Sequence, residues 1–202
     1  MRKLILLFIA VLLVVGFAGS LLAFAKEPGD IEIVMIVKQS DPWFDDMTLG
    51  IKRLKEDTGL NAYVLTPESG DPALQNSIVE DLIAQGVDAI CIVPNDPKAL
   101  IPTIKKARKT GIVVVTHEAP DIAAYVDLDV EAFINEEFGT LMGESLAKAM
   151  GGKGKYAGFV GGLTMTTHME WYNAAVAHIK ANYPDMTLIS EEPYEDGNNI
   201  QI

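Results

Sequence analysis

From residue 31 onward the chain alternates between two hydrophobic patterns. Short runs that are apolar at nearly every position, Ile31 to Val37, Ala89 to Val93 and Ile112 to Thr116, read as strands buried on both faces. Between them lie longer segments whose apolar residues recur at helical spacing. One runs from Phe44 to Thr58 with Met47, Ile51 and Leu54 on one face and Gly59 as its stop, and a short strand, Ala62 to Leu65, follows. The next opens on Asp71-Pro72, in the order of N-cap and first-turn proline, carries Leu74, Ile78, Leu82 and Ile83, and ends at Gly86. A third covers Lys98 to Thr110 and stops at Gly111. Doubly apolar strands alternating with amphipathic helices predict an α/β fold built on a doubly wound parallel sheet. The handedness of the crossovers then gathers the loops after the strands at one edge.

Beyond Thr116 the pattern predicts a fifth short strand, Ala124 to Asp127, an acidic turn, and a helix from Asn135 to Met150. Gly151-Gly152-Lys153-Gly154-Lys155 breaks the chain before a strand at Tyr156 to Val160, a helix at Met169 to Asn182 and a strand at Thr187 to Ser190. Tyr194 to Asn199 reads as a loop entering another helix. A boundary between Asp127 and Asn135 divides the chain into an N-terminal Rossmann-like lobe, 26–128, and a partial second α/β lobe, 129–202. Two strands are too few to cover helices on both faces of such a sheet, so the second lobe is expected to be incomplete and the chain truncated.

The first residues stand apart. Arg2 and Lys3 precede an apolar run from Leu4 to Val15, followed by Ala23-Phe24-Ala25, the order of a secretory signal peptide cleaved after Ala25. An uncleaved anchor is the alternative, because Leu4 to Ala25 is uncharged and long enough to span a bilayer. No cysteine lies near the cleavage point, which excludes a lipid-anchored start. Removing residues 1–25 takes away two cations and no anions, so the net charge moves from -12 to -14. A chain this acidic repels phosphate backbones, which argues against nucleic acid and for a soluble envelope protein. The one cysteine, Cys91, sits in an apolar run and reads as a small buried hydrophobe, so stability must come from a packed core.

Candidate chemistry concentrates at strand ends. The first strand stops at Lys38-Gln39-Ser40-Asp41-Pro42-Trp43-Phe44, which offers a cation, a carboxylate, small polar groups and two adjacent aromatics. Such a set suits a sugar-like molecule, whose C–H faces stack on rings while its hydroxyls take directional hydrogen bonds. Trp43 and Phe44 have a second reading, in which they open the next helix and pack inward. The other strand-end residues are Asn95, Asp96, His117 and Glu118, with Thr166, Thr167, His168 and Trp171 in the second lobe. A cleft lined this way fits a neutral polar ligand.

Other chemistries lack their residues. The glycine-rich stretch at 151–162 lacks the glycine and hydroxyl positions of a phosphate loop, and no dinucleotide fingerprint follows the first strand. His117, His168 and His178 have no partners at metal spacing, no serine occupies a nucleophile elbow, and neither cofactor nor metal is implied. Asp41 and Glu118 could act as an acid–base pair, or simply accept hydrogen bonds from a polyhydroxyl ligand; the second is preferred, and no enzyme is predicted.

The order of these motifs resembles the periplasmic sugar-binding proteins of ABC importers, with the type I periplasmic-binding-protein fold. Asp41-Pro42-Trp43-Phe44 resembles the Asn-Pro-Phe-Phe after the first strand of ribose-binding members, whose aromatics sandwich the sugar. Gln85-Gly86-Val87-Asp88-Ala89-Ile90 resembles the family's approach to its third strand, and Pro94 to Thr116 is similar without gaps to the autoinducer-2-binding and rhamnose-binding branch. The resemblance covers nearly all of 31–202. It implies a ligand-binding role for Lys38, which matches a lysine of the autoinducer-2 branch, and for Glu118, which replaces an aspartate that grips ligand hydroxyls. Thr167 and His168 stand where that branch has Asp-Gln, and Trp171 falls near the ribose branch's ligand arginine. It further implies a monomer that captures a sugar or polyol between hinged lobes for an inner-membrane permease, and a chain longer by on the order of a hundred residues. A periplasmic sensor presenting a bound signal to a receptor or kinase is the alternative end use.

Overall fold

The structure, a computed structural model, describes residues 26–199. The predicted signal peptide lies outside the described residues. Five strands form one all-parallel sheet: β1 (Glu32–Ile36), β2 (Asn61–Leu65), β3 (Ala89–Ile92), β4 (Val113–His117) and β5 (Leu128–Val130), in the order β2-β1-β3-β4-β5. Val34 pairs with Tyr63 on one side and Ile90 on the other, and Ile90 pairs in turn with Val114. Successive side chains of a strand point to opposite faces, so an all-apolar strand needs cover on both.

The helices supply that cover. Val34 and Ile36 of β1 pack with Val79 and Leu82 of α2 (Pro72–Gln85) and with Leu100 and Ile104 of α3 (Pro97–Lys109). Met35 and Val37 face the other way, onto Phe44 and the Met47 and Ile51 side of α1 (Asp45–Thr58). Cys91 belongs to this second cluster, half-buried, and burial pushes its thiol up. This is the doubly wound arrangement that the strand pattern predicts.

The second part of the chain holds α4 (Asn135–Ala149), β6 (Gly154–Tyr156), β7 (Phe159–Val160), α5 (Thr166–Asn182), β8 (Met186–Leu188) and β9 (Tyr194–Glu195). β6 pairs with β8 and β7 with β9, both parallel. α4 and α5 approach closely because Gly139 and Gly143 face backbone: a Cβ on Gly139 would lie 2.4 Å from the Trp171 carbonyl oxygen, and one on Gly143 2.7 Å from that of Ala175. Ala147, Tyr156, Ile179 and Met186 form the core between these helices and β6 and β8.

Several predicted boundaries move. Ala124 and Tyr125 lie in a 3-10 helix, Pro120–Tyr125, that buries Ile122, and the fifth strand begins only at Leu128. Pro120 starts that turn from its pre-set φ, and Asp127 is spent on the backbone N–H of Val114 (2.9 Å) and on Arg108 (2.8 Å). The single strand predicted at Tyr156 to Val160 is two, interrupted where the Tyr172 ring presses on Gly158. α5 begins at Thr166 instead of Met169, and the strand expected at Thr187 to Ser190 runs Met186–Leu188. Tyr194 and Glu195, expected in a loop, pair with β7.

Two glycines test the helix contacts with opposite signs. Gly139→Ala forces helix against helix and is expected to cost about 1–3 kcal/mol. Gly50→Ala, within α1 where an added Cβ meets nothing within 4 Å, is expected to stabilise by about 0.5–1 kcal/mol. Urea unfolding of the two variants measures both.

Candidate functional site

Beyond the carboxyl ends of β1, β3 and β4 the sheet ladder stops, and its last backbone groups need other partners. Gln75, in the first turn of α2 and fully buried, supplies them: its Nε2 donates to the carbonyls of Val37 (3.3 Å) and Val93 (2.8 Å), and its Oε1 accepts from the Asn95 N–H (2.8 Å). Asn95 Nδ2 in turn donates to the Lys38 carbonyl at 3.1 Å. The loops after β1 and β3 are thereby locked side by side.

That lock sets Lys38 opposite Glu118, at the end of β4. Their side chains pair at 2.6 Å between Nζ and Oε2, with Lys38 1% and Glu118 4% exposed. Burying two ions costs several kcal/mol each unless each meets its counter-charge, so the pair stands or falls together. Burial alone would raise the Glu118 carboxyl; the Lys38 ammonium outweighs it and holds the group below the usual carboxylate range. Thr167, at the start of α5, donates its hydroxyl to the same Oε2 at 3.4 Å. Glu118 sits at φ 59°, in the left-handed region that a glutamate adopts only at an energetic cost, and residues held in that way cluster at ligand-binding sites.

Above the ion pair opens a cavity of about 280 Å³. Lys38, Glu118 and Asp41 line it from the strand ends, and Trp43 and Phe44 from the loop after β1. Phe138 and Met142 of α4, His168 and Trp171 of α5, and Asn198 line it from the second part of the chain. His168 stacks on Trp171 with centroids 5.1 Å apart, and Trp171 donates its Nε1–H to Asn135 Oδ1 at 2.7 Å. His168 Nδ1 accepts from the Gly161 N–H at 3.1 Å, which leaves the imidazole proton on Nε2. Burial, then the nearby Lys38 charge, pulls this imidazole down to about 4. A larger opening of about 650 Å³ shares Asp41 and Asn198 with the cavity and runs past Gln39, whose Nε2 donates to the carbonyls of Gly197 and Asn198.

The predicted site residues divide. Lys38, Asp41, Trp43, Phe44, Glu118, His168 and Trp171 meet at the cavity, and Thr167 reaches it through Glu118. Both readings of the aromatic pair hold, one for each ring: Phe44 is buried against the α1 face of the sheet, while Trp43 is 54% exposed over the cavity. Asp96 does not join them. It caps α3 by accepting from the Ala99 N–H at 3.0 Å, as a residue between Asn and Pro before a helix should. Asn95 serves the loop, its Oδ1 buried with no hydrogen-bond partner among the described residues. His117 turns its Nδ1 to the Val130 carbonyl. Five contributors went unpredicted: Gln75 reads as a polar residue on an amphipathic helix, Phe138 and Met142 read as a core stripe, Asn135 reads as a helix start, and Asn198 falls in what reads as a loop entering another helix.

Two outcomes follow from this geometry. Gln75→Ala strands two carbonyls and an N–H in the interior, with an expected loss of about 3 kcal/mol in urea unfolding. An unfolded histidine titrates near pH 6.5, so between pH 6.5 and about 4 the unfolded chain holds a proton that folded His168 lacks. Stability is therefore expected to fall as pH drops through that window, by up to about 3 kcal/mol, and His168→Gln should flatten the slope. The Glu118 contribution, present above its unfolded value, is lost only as pH falls further towards its lowered folded one.

Against known proteins, residues 31–201 match the family model described as periplasmic binding protein domain. The D-ribose/D-allose-binding protein of Pseudomonas aeruginosa is 31% identical over 72% of this chain and 48% of its own length. The D-xylose-binding periplasmic protein of Escherichia coli is 26% identical over 81% of this chain and 48% of its own. An ABC transporter solute binding protein from Burkholderia graminis, solved in complex with D-arabinose, superposes with a TM-score of 0.78 at 28% identity, over 87% of this chain and 59% of that one. The chain thus spans about half the length of the curated relatives it matches. A match across 31–201, together with the parallel sheet and the strand-end cavity, places the chain in the periplasmic binding protein domain family.

Proposed function

We propose that this protein captures a neutral sugar or sugar-like polyol in the cleft between two lobes, 26–128 and 129–202, and delivers it to the permease of an ABC importer. The observation that carries the reading is the buried Lys38–Glu118 pair at the floor of a cavity walled by tryptophan and phenylalanine rings. Rings stack on the C–H faces of a sugar, and an ion pair already neutralised by its own partner offers donors and an acceptor to hydroxyls without demanding a charged ligand. The relatives that the chain matches are named for sugars: ribose, allose and xylose.

The ligand-contacting residues in this reading are Lys38, Asp41, Trp43, Phe44, Glu118, His168 and Trp171. Thr167 steadies Glu118, and Asn95 and Asp96 hold the loops that carry the others. The protein acts by binding, without turnover, as a monomer in the periplasm, exported by residues 1–25. Hinge motion about the segment between β5 and α4 would close the lobes on the ligand.

Both tryptophans of the chain line the cavity, so its intrinsic fluorescence reports on the site. Titration of pentoses, hexoses and polyols is expected to shift that emission. Glu118→Gln, which keeps an acceptor for Lys38 and removes the charge, should weaken binding about 10- to 100-fold. A response to amino acids or peptides with none to any sugar would overturn the ligand class.

A further inference from the structure

Resting on that reading, we infer that the cleft prefers a deoxy sugar over its fully hydroxylated parent, with Phe138 and Met142 forming the wall that receives the sugar's methyl group. On its α4 side the cavity presents a ring and a thioether, and part of its polar capacity elsewhere is already engaged. Asp41 Oδ1 accepts from the Trp43 N–H, Glu118 Oε2 is taken by Lys38 and Thr167, and the indole N–H of Trp171 goes to Asn135. His168 Nδ1 holds the Gly161 N–H. What remains for a ligand is further protons of Lys38, Glu118 Oε1 and the second oxygen of Asp41 on the strand-end side, and the Nε2–H of His168 with the Asn198 amide beside α5; α4 offers none.

Across from them, Phe138 and Met142 stand one turn apart on α4 and share one face. Phe138 is packed between two other rings. Its ring stacks on Phe133 with centroids 4.4 Å apart and meets Trp171 edge-on at 5.2 Å. A hydroxyl pushed against this wall loses its water without gaining a partner, whereas a methyl group gains contact. Apolar pockets reject an added hydroxyl only moderately, so the expected discrimination is modest but measurable.

The test uses the full-length protein and matched pairs that differ by one hydroxyl: L-rhamnose against L-mannose, and D-fucose against D-galactose, by calorimetry and tryptophan emission. The deoxy member of at least one pair is expected to bind about tenfold or more tighter than its parent. Met142→Gln places an amide in a half-exposed position of the wall and should narrow that ratio about tenfold while both sugars still bind. Phe138→Tyr, which adds a hydroxyl with little change of shape, should do the same and serves if the first variant folds poorly. Parents binding as tightly as their deoxy partners, or tighter, would overturn this inference and leave sugar capture standing. An unchanged ratio in folded variants removes the wall from its role. Absence of binding by every sugar overturns the capture reading and this inference with it.

Discussion

The structure turns on one interaction, the ion pair between Lys38 and Glu118. The two residues are 80 positions apart and sit at the ends of β1 and β4, with β3 between them. Neither charge could be buried alone, because an unpaired ion in the interior costs several kcal/mol, so each loop must be placed to within hydrogen-bond reach of the other. Gln75 achieves this for the loop after β1 by tying it to the loop after β3. The left-handed backbone of Glu118 achieves it for β4, turning the side chain back across the sheet edge. A buried pair of this kind is weak evidence for stability, since apolar residues of similar volume would serve a core as well. Its place at the floor of a cavity argues for use.

Glu118 is also where the sheet is joined to the second part of the chain. Ala119, the next residue, donates its N–H to Glu131 Oε1 at 3.2 Å, and Glu131 Oε2 accepts from Asn135 Nδ2 at 2.9 Å. Asn135 also donates to Glu170 at 2.9 Å and accepts from the Trp171 indole at 2.7 Å. Burial raises the Glu131 carboxyl, as expected of a group drawn into this joint. One side chain thus links the strand that carries the carboxylate to the helix that carries an aromatic wall.

Much of this was legible in the sequence, for identifiable reasons. Strands apolar on both faces can only lie inside a covered parallel sheet, so β1 to β4 and the helices between them follow from pattern alone. The rule that ligands gather past the carboxyl ends of such strands points to Lys38 and Glu118, which the structure brings together at the cavity. Asp96 shows its ambiguity, because a strand-end aspartate followed by proline is also a helix cap, and the structure uses it as one. The fifth strand was misplaced because a short apolar run after Pro120 fits a 3-10 turn as well as a strand. Gln75, Phe138 and Met142 were unreadable because their roles depend on what faces them across the fold. A buried amide looks like a surface one, and a cavity wall has the periodicity of a core stripe.

Charge and lining together define what kind of selectivity this cavity can exert. The chain carries a net charge of -12, so its field disfavours anions in the surroundings before any contact is made. Inside, Lys38 is matched by Glu118 and His168 is neutral at pH 7, which leaves Asp41 as the unmatched charge of the lining. That carboxylate already accepts the N–H that opens a 3-10 turn, a favourable place for negative charge, so it has little need of a cationic ligand. Attraction between full charges therefore contributes little to recognition. For the sugar or polyol proposed as ligand, discrimination would then come from desolvation: which hydroxyls find a partner among the unspent polar atoms, and which are pressed against a ring and do not.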